Sequence, residues 1–225
     1  MNIVLCGMMG VGKTTVGIRI AELANMRWHD TDAIIIDKYG KISDIFEFYG
    51  EAHFRRLETE VVKELAEEDN LVISTGGGCV LKKENCTYLK KNGKIVFLKA
   101  NLDTLSARVR INDSRPLLKK NALEKIRELL IRRTPIYEKV ADIIIDTDDK
   151  DIDHVAKEII LKIEALREAE EEEAKKKQNI EADKEARKVA TLEEKKYMFE
   201  VYKDLRKAAK DEKTSEKPKT SEDSE

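Results

Sequence analysis

Gly7-Met8-Met9-Gly10-Val11-Gly12-Lys13-Thr14 has the spacing G-x-x-x-x-G-K-[ST], and the chemistry open to such a stretch is holding a phosphate chain. Glycines let a backbone fold back so that several N–H groups point at one anion. A helix opening at the end of the loop adds a partial positive charge. Lys13 is placed to reach the β- and γ-phosphates of a nucleoside triphosphate, and the Thr14 hydroxyl to ligate Mg²⁺. Other groups with chemical potential lie further on. Asp30 and Asp32 bracket Thr31 at the end of an apolar run, where they can serve a metal or a hydroxyl, or simply cap a helix. Thr75-Gly76-Gly77-Gly78 suggests a backbone that closely approaches a ligand, with a tight turn as the plainer alternative. Arg55-Arg56 and Arg132-Arg133 read from the residues alone as helix surface charges.

These groups need elements to position them. Strand-like apolar runs recur at Asn2–Cys6, Met26–Asp30, Leu71–Thr75, Lys94–Leu98 and Asp142–Asp146, with helical patterns between them. That alternation predicts an α/β fold, a three-layer arrangement with a five-stranded parallel sheet and helices on both faces. Ligands in such folds gather at the carboxyl ends of the strands, where the glycine and aspartate motifs fall. The first helix follows from Lys13 to about Asn25, so strand, loop and helix come in the order a phosphate loop requires. Between the second and third strands the pattern predicts three helices. They cover Ala33–Tyr39, a stretch capped by Ser43, and Glu51–Glu68 after a break at Gly50. That surplus suggests a substrate-binding lobe. Asp103 is the expected cap of the helix after strand four, and Ile111–Leu118 reads as a mobile flap. Helices are further expected from Asn121 or Ala122 to Val140, with a kink at Pro135, and from Asp151 to Leu166.

Composition narrows the classes. A net charge of −2 on 225 residues gives no basic field for nucleic acid. No stretch is apolar enough to span a membrane, and the N-terminus reads as a strand rather than a signal peptide. Three cysteines without metal-type spacing fit a reduced, cytoplasmic setting. Charge is concentrated at the end, where the last 62 residues hold 19 acidic and 16 basic side chains and no glycine. The expected organisation is therefore residues 1–166 as the α/β domain, 167–211 as a charged helical extension and 212–225 as a disordered tail. In the extension Glu171, Glu172 and Glu173 each precede a lysine by four residues, which supports an exposed helix. Thr191 and Glu194 suggest a capping box starting a second helix, Leu192–Lys210, with Met198, Val201, Tyr202, Leu205 and Ala209 as an apolar stripe. The stripe is expected to dock on the first domain or another copy, against the plainer reading of a solvated extension without chemistry.

Taken in order, the phosphate loop, Asp30-Thr31-Asp32, Gly50-Glu51 with Phe54-Arg55, Thr75–Gly78, Arg115-Pro116-Leu117-Leu118 and Arg133-Thr134-Pro135-Ile136-Tyr137 resemble the shikimate kinase family of the bacterial and plant type, over residues 1–165. The resemblance implies a P-loop kinase with strand order 2-3-1-4-5, a substrate lobe after strand two and a lid around Arg115. It implies transfer of the γ-phosphate of ATP, with Mg²⁺, to the 3-hydroxyl of shikimate. By resemblance, Gly10, Val11, Gly12, Lys13, Thr14 and Thr15 hold the nucleotide, Arg108 stacks on adenine, and Arg115 closes over the phosphates. Thr14 ligates Mg²⁺ directly and Asp30 supports it through water. Asp32 orients the attacking hydroxyl, making Lys13, Asp32 and Arg115 the catalytic set. Arg55 and Arg133, rather than their arginine neighbours, form a carboxylate clamp, with Gly77 and Gly78 presenting backbone N–H groups. Cys79 follows the glycine run where the family has small residues, and its thiol is a candidate for reactivity. The loop Asp146–Asp149, which helps hold adenine in the family, lacks the nearby arginine often found there. The expected partner is shikimate alone, bound by a monomer, with tail-mediated self-association as the alternative. Rival readings are a related gluconate or nucleotide kinase, and a nucleotide-binding regulator whose tail recruits a partner.

Overall fold

Strands β1 (Asn2–Cys6) and β3 (Leu71–Ser74) are buried at every position, which requires cover on both faces and suits the centre of a parallel sheet. In the computed structural model, which describes residues 1–111 and 122–215, these two strands pair in parallel with Ile3 opposite Val72. β4 (Gly93–Lys99) lies on the other side of β1, and β2 (Arg27–Asp30) and β5 (Ile143–Asp146) form the edges. The order is β2-β3-β1-β4-β5, all parallel, as the resemblance implied. β5 alternates buried and exposed positions, the pattern of a strand covered on one face only.

Helix α1 (Lys13–Ala24) buries Val16, Gly17, Ile20 and Ala21 against the sheet. Gly17 is needed there, because a Cβ would stand 2.6 Å from Ser74 Oγ and 2.8 Å from Trp28 Nε1. Helix α2 (Thr31–Tyr39) follows β2 without a loop, because Asp30 accepts hydrogen bonds from the Asp32 and Ala33 backbone N–H groups and caps it. α3 (Ile42–Ala66) is interrupted at Gly50, whose φ of 77° and ψ of 172° separate two helical pieces. The lobe between β2 and β3 is therefore three helical segments, as expected. Two expected caps are corrected. Ser43 lies inside the first turn and its hydroxyl donates to Asp44 Oδ1, while Lys41 precedes the helix without a side-chain cap. Asp103 likewise lies inside α5 (Leu102–Ile111), where its charge favours the helix dipole, and Asn101 caps by accepting from the Thr104 N–H at 2.8 Å.

After a short 3₁₀ turn at Cys79–Leu81, α4 (Lys83–Lys91) leads into β4. α6 (Ala122–Val140) contains Pro135 and buries Ile126 and Tyr137. The expected lid, with Arg115, lies outside the described residues. α7 runs from Ile152 to Ser215. The chain divides into two units, Met1–Leu166 and Arg167–Glu225. In the first unit α7 buries Val155, Ala156, Ile159 and Ile163. In the second, Thr191 does not open a new helix. Its hydroxyl donates to the Arg187 carbonyl one turn back, within a helix that no glycine or proline interrupts. Residues 212–215 are helical rather than disordered, and 216–225 lie outside the described residues. Among the described residues, no helix is long and apolar enough to cross a membrane.

At the opposite end of the sheet from the glycine turn, buried Asn2 ties three elements together. Its Nδ2 donates to the Glu68 carbonyl at 2.9 Å, and its Oδ1 accepts from the Leu71 N–H at 3.0 Å. Asn2→Ala strands a buried N–H and is expected to cost about 1–3 kcal/mol. Thermal denaturation should show a midpoint lowered by roughly 2–10 °C.

Candidate active site

The carboxyl ends of β1, β2, β3 and β5 bring together a cleft of about 800 Å³. Its walls include residues 9–16 of the phosphate loop, Asp30, Asp32, Gly76, Gly77, Arg108 and Thr147. Gly10, Val11, Gly12, Lys13, Thr14 and Thr15 thus all line one opening. Gly12 takes the left-handed φ of 102° immediately before α1, a conformation that favours glycine. Lys13 Nζ donates to the Gly7 and Met8 carbonyls, each at 3.0 Å, which holds the ammonium over its own loop. Thr14 Oγ1 donates to Asp30 Oδ2 at 3.0 Å, while the other Asp30 oxygen caps α2. A hydroxyl and a carboxylate at that separation are hard oxygen donors of the kind Mg²⁺ takes.

Arg108 lies where α5 faces the loop after β5. It donates to the Val11 carbonyl at 3.3 Å, to Thr147 Oγ1 at 3.2 Å and to the Thr147 carbonyl at 3.1 Å. It is therefore a bracket between the phosphate loop and that second loop, a role the sequence did not suggest. Lys150, in the same loop, also lines the cleft and pairs with Glu158 at 2.7 Å. A cation does stand near the position where the family arginine is missing.

The other end of the cleft is organised around the glycine turn. A Cβ on Gly78 would stand 2.6 Å from both Arg55 Nη atoms, so any side chain there would push that guanidinium out of its place. Arg55 is held by a two-pronged pair with Glu58, at 2.9 and 3.1 Å, and by Glu51 at 3.2 Å. The Glu58 side chain is only 1% exposed. Burial raises its carboxyl above the usual range, opposed by the Arg55 charge. Burial works against the Arg55 cation, but the Glu58 charge and hydrogen bonds more than offset it and keep the guanidinium ionised. Asp32 and Glu58 oxygens both flank Gly76, at 2.7 and 3.3 Å from where its Cβ would be. From α6, Arg133 Nη1 donates to the Gly77 carbonyl at 3.2 Å. Its Nε is buried with no hydrogen-bond partner among the described residues. Tyr137, one turn further on and fully buried against Phe97, donates its hydroxyl to the same carbonyl.

The structure thus brings Asp32, Arg55, Gly77, Gly78 and Arg133 to one turn, and Lys13, Thr14, Asp30 and Arg108 to the adjoining phosphate loop. Arg56 is exposed and contacts His53, and Arg132 is exposed. Glu58 was not singled out from the sequence, and Tyr137 was named only as part of the family motif without a role, although their helical spacing from Arg55 and Arg133 put them on the same faces. Cys79 is corrected. Its thiol is fully buried and burial pushes it well above the ordinary range, so it is not a reactive group.

A parallel sheet in this order, with a phosphate loop between its central strand and the next helix and a lobe after β2, defines a small-molecule P-loop kinase. A sequence model of the shikimate kinase family matches residues 9–164. A shikimate kinase from Xylella fastidiosa (strain M12) is 40% identical over 166 residues, covering 73% of this chain and 92% of the relative. The solved shikimate kinase from Acinetobacter baumannii in complex with shikimate is 39% identical with a TM-score of 0.69, covering 73% of this chain and 93% of that one. A gluconokinase from Sinorhizobium meliloti 1021 shares the fold alone, at 17% identity and a TM-score of 0.51, covering 75% of this chain and 94% of that one. The chain belongs to the shikimate kinase family.

Burial raises the Tyr137 phenol from 10.0 to about 12, so the fold favours the protonated form. The stability this gives is full below pH 10 and is lost as pH rises toward about 12, up to roughly 2–3 kcal/mol. Tyr137→Phe is expected to be less stable than the parent at neutral pH by about 1 kcal/mol. Urea midpoints measured against pH should show that gap closing and then reversing between pH 10 and 12. Parallel curves would place the titration elsewhere.

Proposed function

We infer that the chain transfers the γ-phosphate of ATP to the 3-hydroxyl of shikimate, a step of aromatic amino acid biosynthesis. The observation that carries this reading is the pair of guanidinium groups, Arg55 and Arg133, meeting at Gly77-Gly78 beside the phosphate loop. Shikimate presents one carboxylate and three hydroxyls. Arginine forks suit the carboxylate, and the buried Arg133 Nε without a partner among the described residues is a donor suited to it. Glu58 acts as the positioning residue that aims Arg55, and Tyr137 fixes the Gly77 peptide so that the turn keeps its shape. Asp32 is placed to accept from the ring hydroxyls and orient the attacking one. In a loose phosphoryl-transfer transition state that orientation matters more than proton removal.

At the other end, the loop amides and Lys13 hold the triphosphate, and Arg108 faces the base. Thr14 and Asp30 supply the donors that fit Mg²⁺, which when bound neutralises charge on the phosphates. Arg115 is the expected cation that closes over them and excludes water, itself a competing acceptor. Residues 1–166 carry this chemistry, with 167–211 an extension of the kinase domain and the rest a tail. A cytoplasmic setting fits the three free, buried cysteines.

Release of ADP measured over shikimate, gluconate and nucleoside monophosphates tests the reading. Turnover is expected with shikimate, and turnover with another acceptor in its absence overturns the assignment. Arg133→Ala should raise the shikimate KM by about tenfold or more while the ATP KM moves less than about twofold. Equal effects on both would take Arg133 out of the clamp.

A further inference from the structure

The helical extension carries a charge pattern that a solvated stalk does not need. From Arg167 to Lys188 it is mostly charged and stitched by i,i+4 pairs such as Glu173–Lys177 and Asp183–Arg187. Beyond that, large apolar side chains crowd together. Met198 is 49% exposed, Tyr202 65% and Leu205 62%. At about 3.6 residues per turn, these three and Val201 share one face. Of the basic residues between Glu193 and Lys207, Lys195 and Arg206 border one side of that face, while Lys196, Lys203 and Lys207 lie toward the back of the helix. The other side is bordered by Glu194, close against the stripe, and Asp204, with Glu193 and Glu200 further round toward the back. Leu192 and Phe199 lie within the basic edge and widen the apolar surface there.

We propose that this face pairs with the same face of a second copy of the chain, the two helices running parallel. The argument is charge complementarity under two-fold symmetry. With the axis along the helices, the basic edge of one copy meets the acidic edge of the other along both seams. In an antiparallel pair, basic would meet basic and acidic would meet acidic. An anionic membrane surface is a poorer occupant, because it favours basic residues flanking both sides of an apolar face, and here one flank is acidic. The stripe is short, so the pairing is concentration-dependent rather than permanent.

Sedimentation velocity on the full chain from about 1 to about 100 µM should show a mass rising from 25.8 kDa toward twice that value. Met198→Glu with Leu205→Glu should leave a single species of one chain, while shikimate-dependent ADP release stays unchanged and reports an intact kinase domain. Lys195→Glu with Arg206→Glu makes both edges acidic and should weaken self-association about tenfold or more. Mixing that protein with Glu194→Lys, Asp204→Lys, whose edges are both basic, should restore it. A single-chain mass at every concentration overturns the proposal, as does a dimer that survives the apolar substitutions. A dimer indifferent to Lys195→Glu, Arg206→Glu overturns the parallel arrangement, since antiparallel helices would exchange one repulsive seam for another.

Discussion

One carbonyl holds the glycine turn of this enzyme in place. The Gly77 oxygen accepts from Arg133 and from Tyr137, two side chains one turn apart on α6. The next residue, Gly78, is bare enough for Arg55 to lie against it from α3. Two helices far apart in sequence therefore converge on a single peptide, with no side chain of the turn intervening. Each guanidinium has a structural partner of its own, Glu58 for Arg55 and the Gly77 carbonyl for Arg133, so both are positioned by the protein's own groups. Such preorganisation spares the ordering of two long side chains at the moment of binding.

The phosphate end follows the same logic with different parts. Asp30 uses one oxygen to cap α2 and the other to receive Thr14, so the start of α2 and the phosphate-loop hydroxyl share one carboxylate. Arg108 ties the phosphate loop to the loop after β5. Neighbouring strands of the parallel sheet set the spacing between these fixtures. The phosphate loop and the glycine turn thereby share a common edge of the sheet.

Much of this was legible in the sequence. The apolar runs marked all five strands, the glycine break at Gly50 was visible, and the loop motif carried its own chemistry. Strand order came from the family resemblance rather than from periodicity, which says nothing about which strands are neighbours. Thr191 was misread because α7 continues straight through it; the caps at Ser43 and Asp103 were misread because a capping side chain acts only at the one residue that leaves helical geometry. A shift of a residue or two puts the same side chain inside the turn. Tyr137 stood in the family motif, but its bond to the Gly77 carbonyl was missed for another reason. Its partner lies sixty residues away in the chain, and no local pattern records a bond of that span. The arginine choices came from motif spacing alone. The structure supplies what spacing lacks, namely the buried Glu58 beside Arg55 and the solvent around Arg56 and Arg132.

Cys6, Cys79 and Cys86 are all shut inside the fold, and Cys79 directly follows the glycine turn with its carbonyl bound by Asn85. Oxidants and electrophiles meet these sulfurs only during excursions that expose the interior. Attack on the Cys79 sulfur therefore depends on how often the native state opens around that turn, and a ligand that steadies the turn also shelters it.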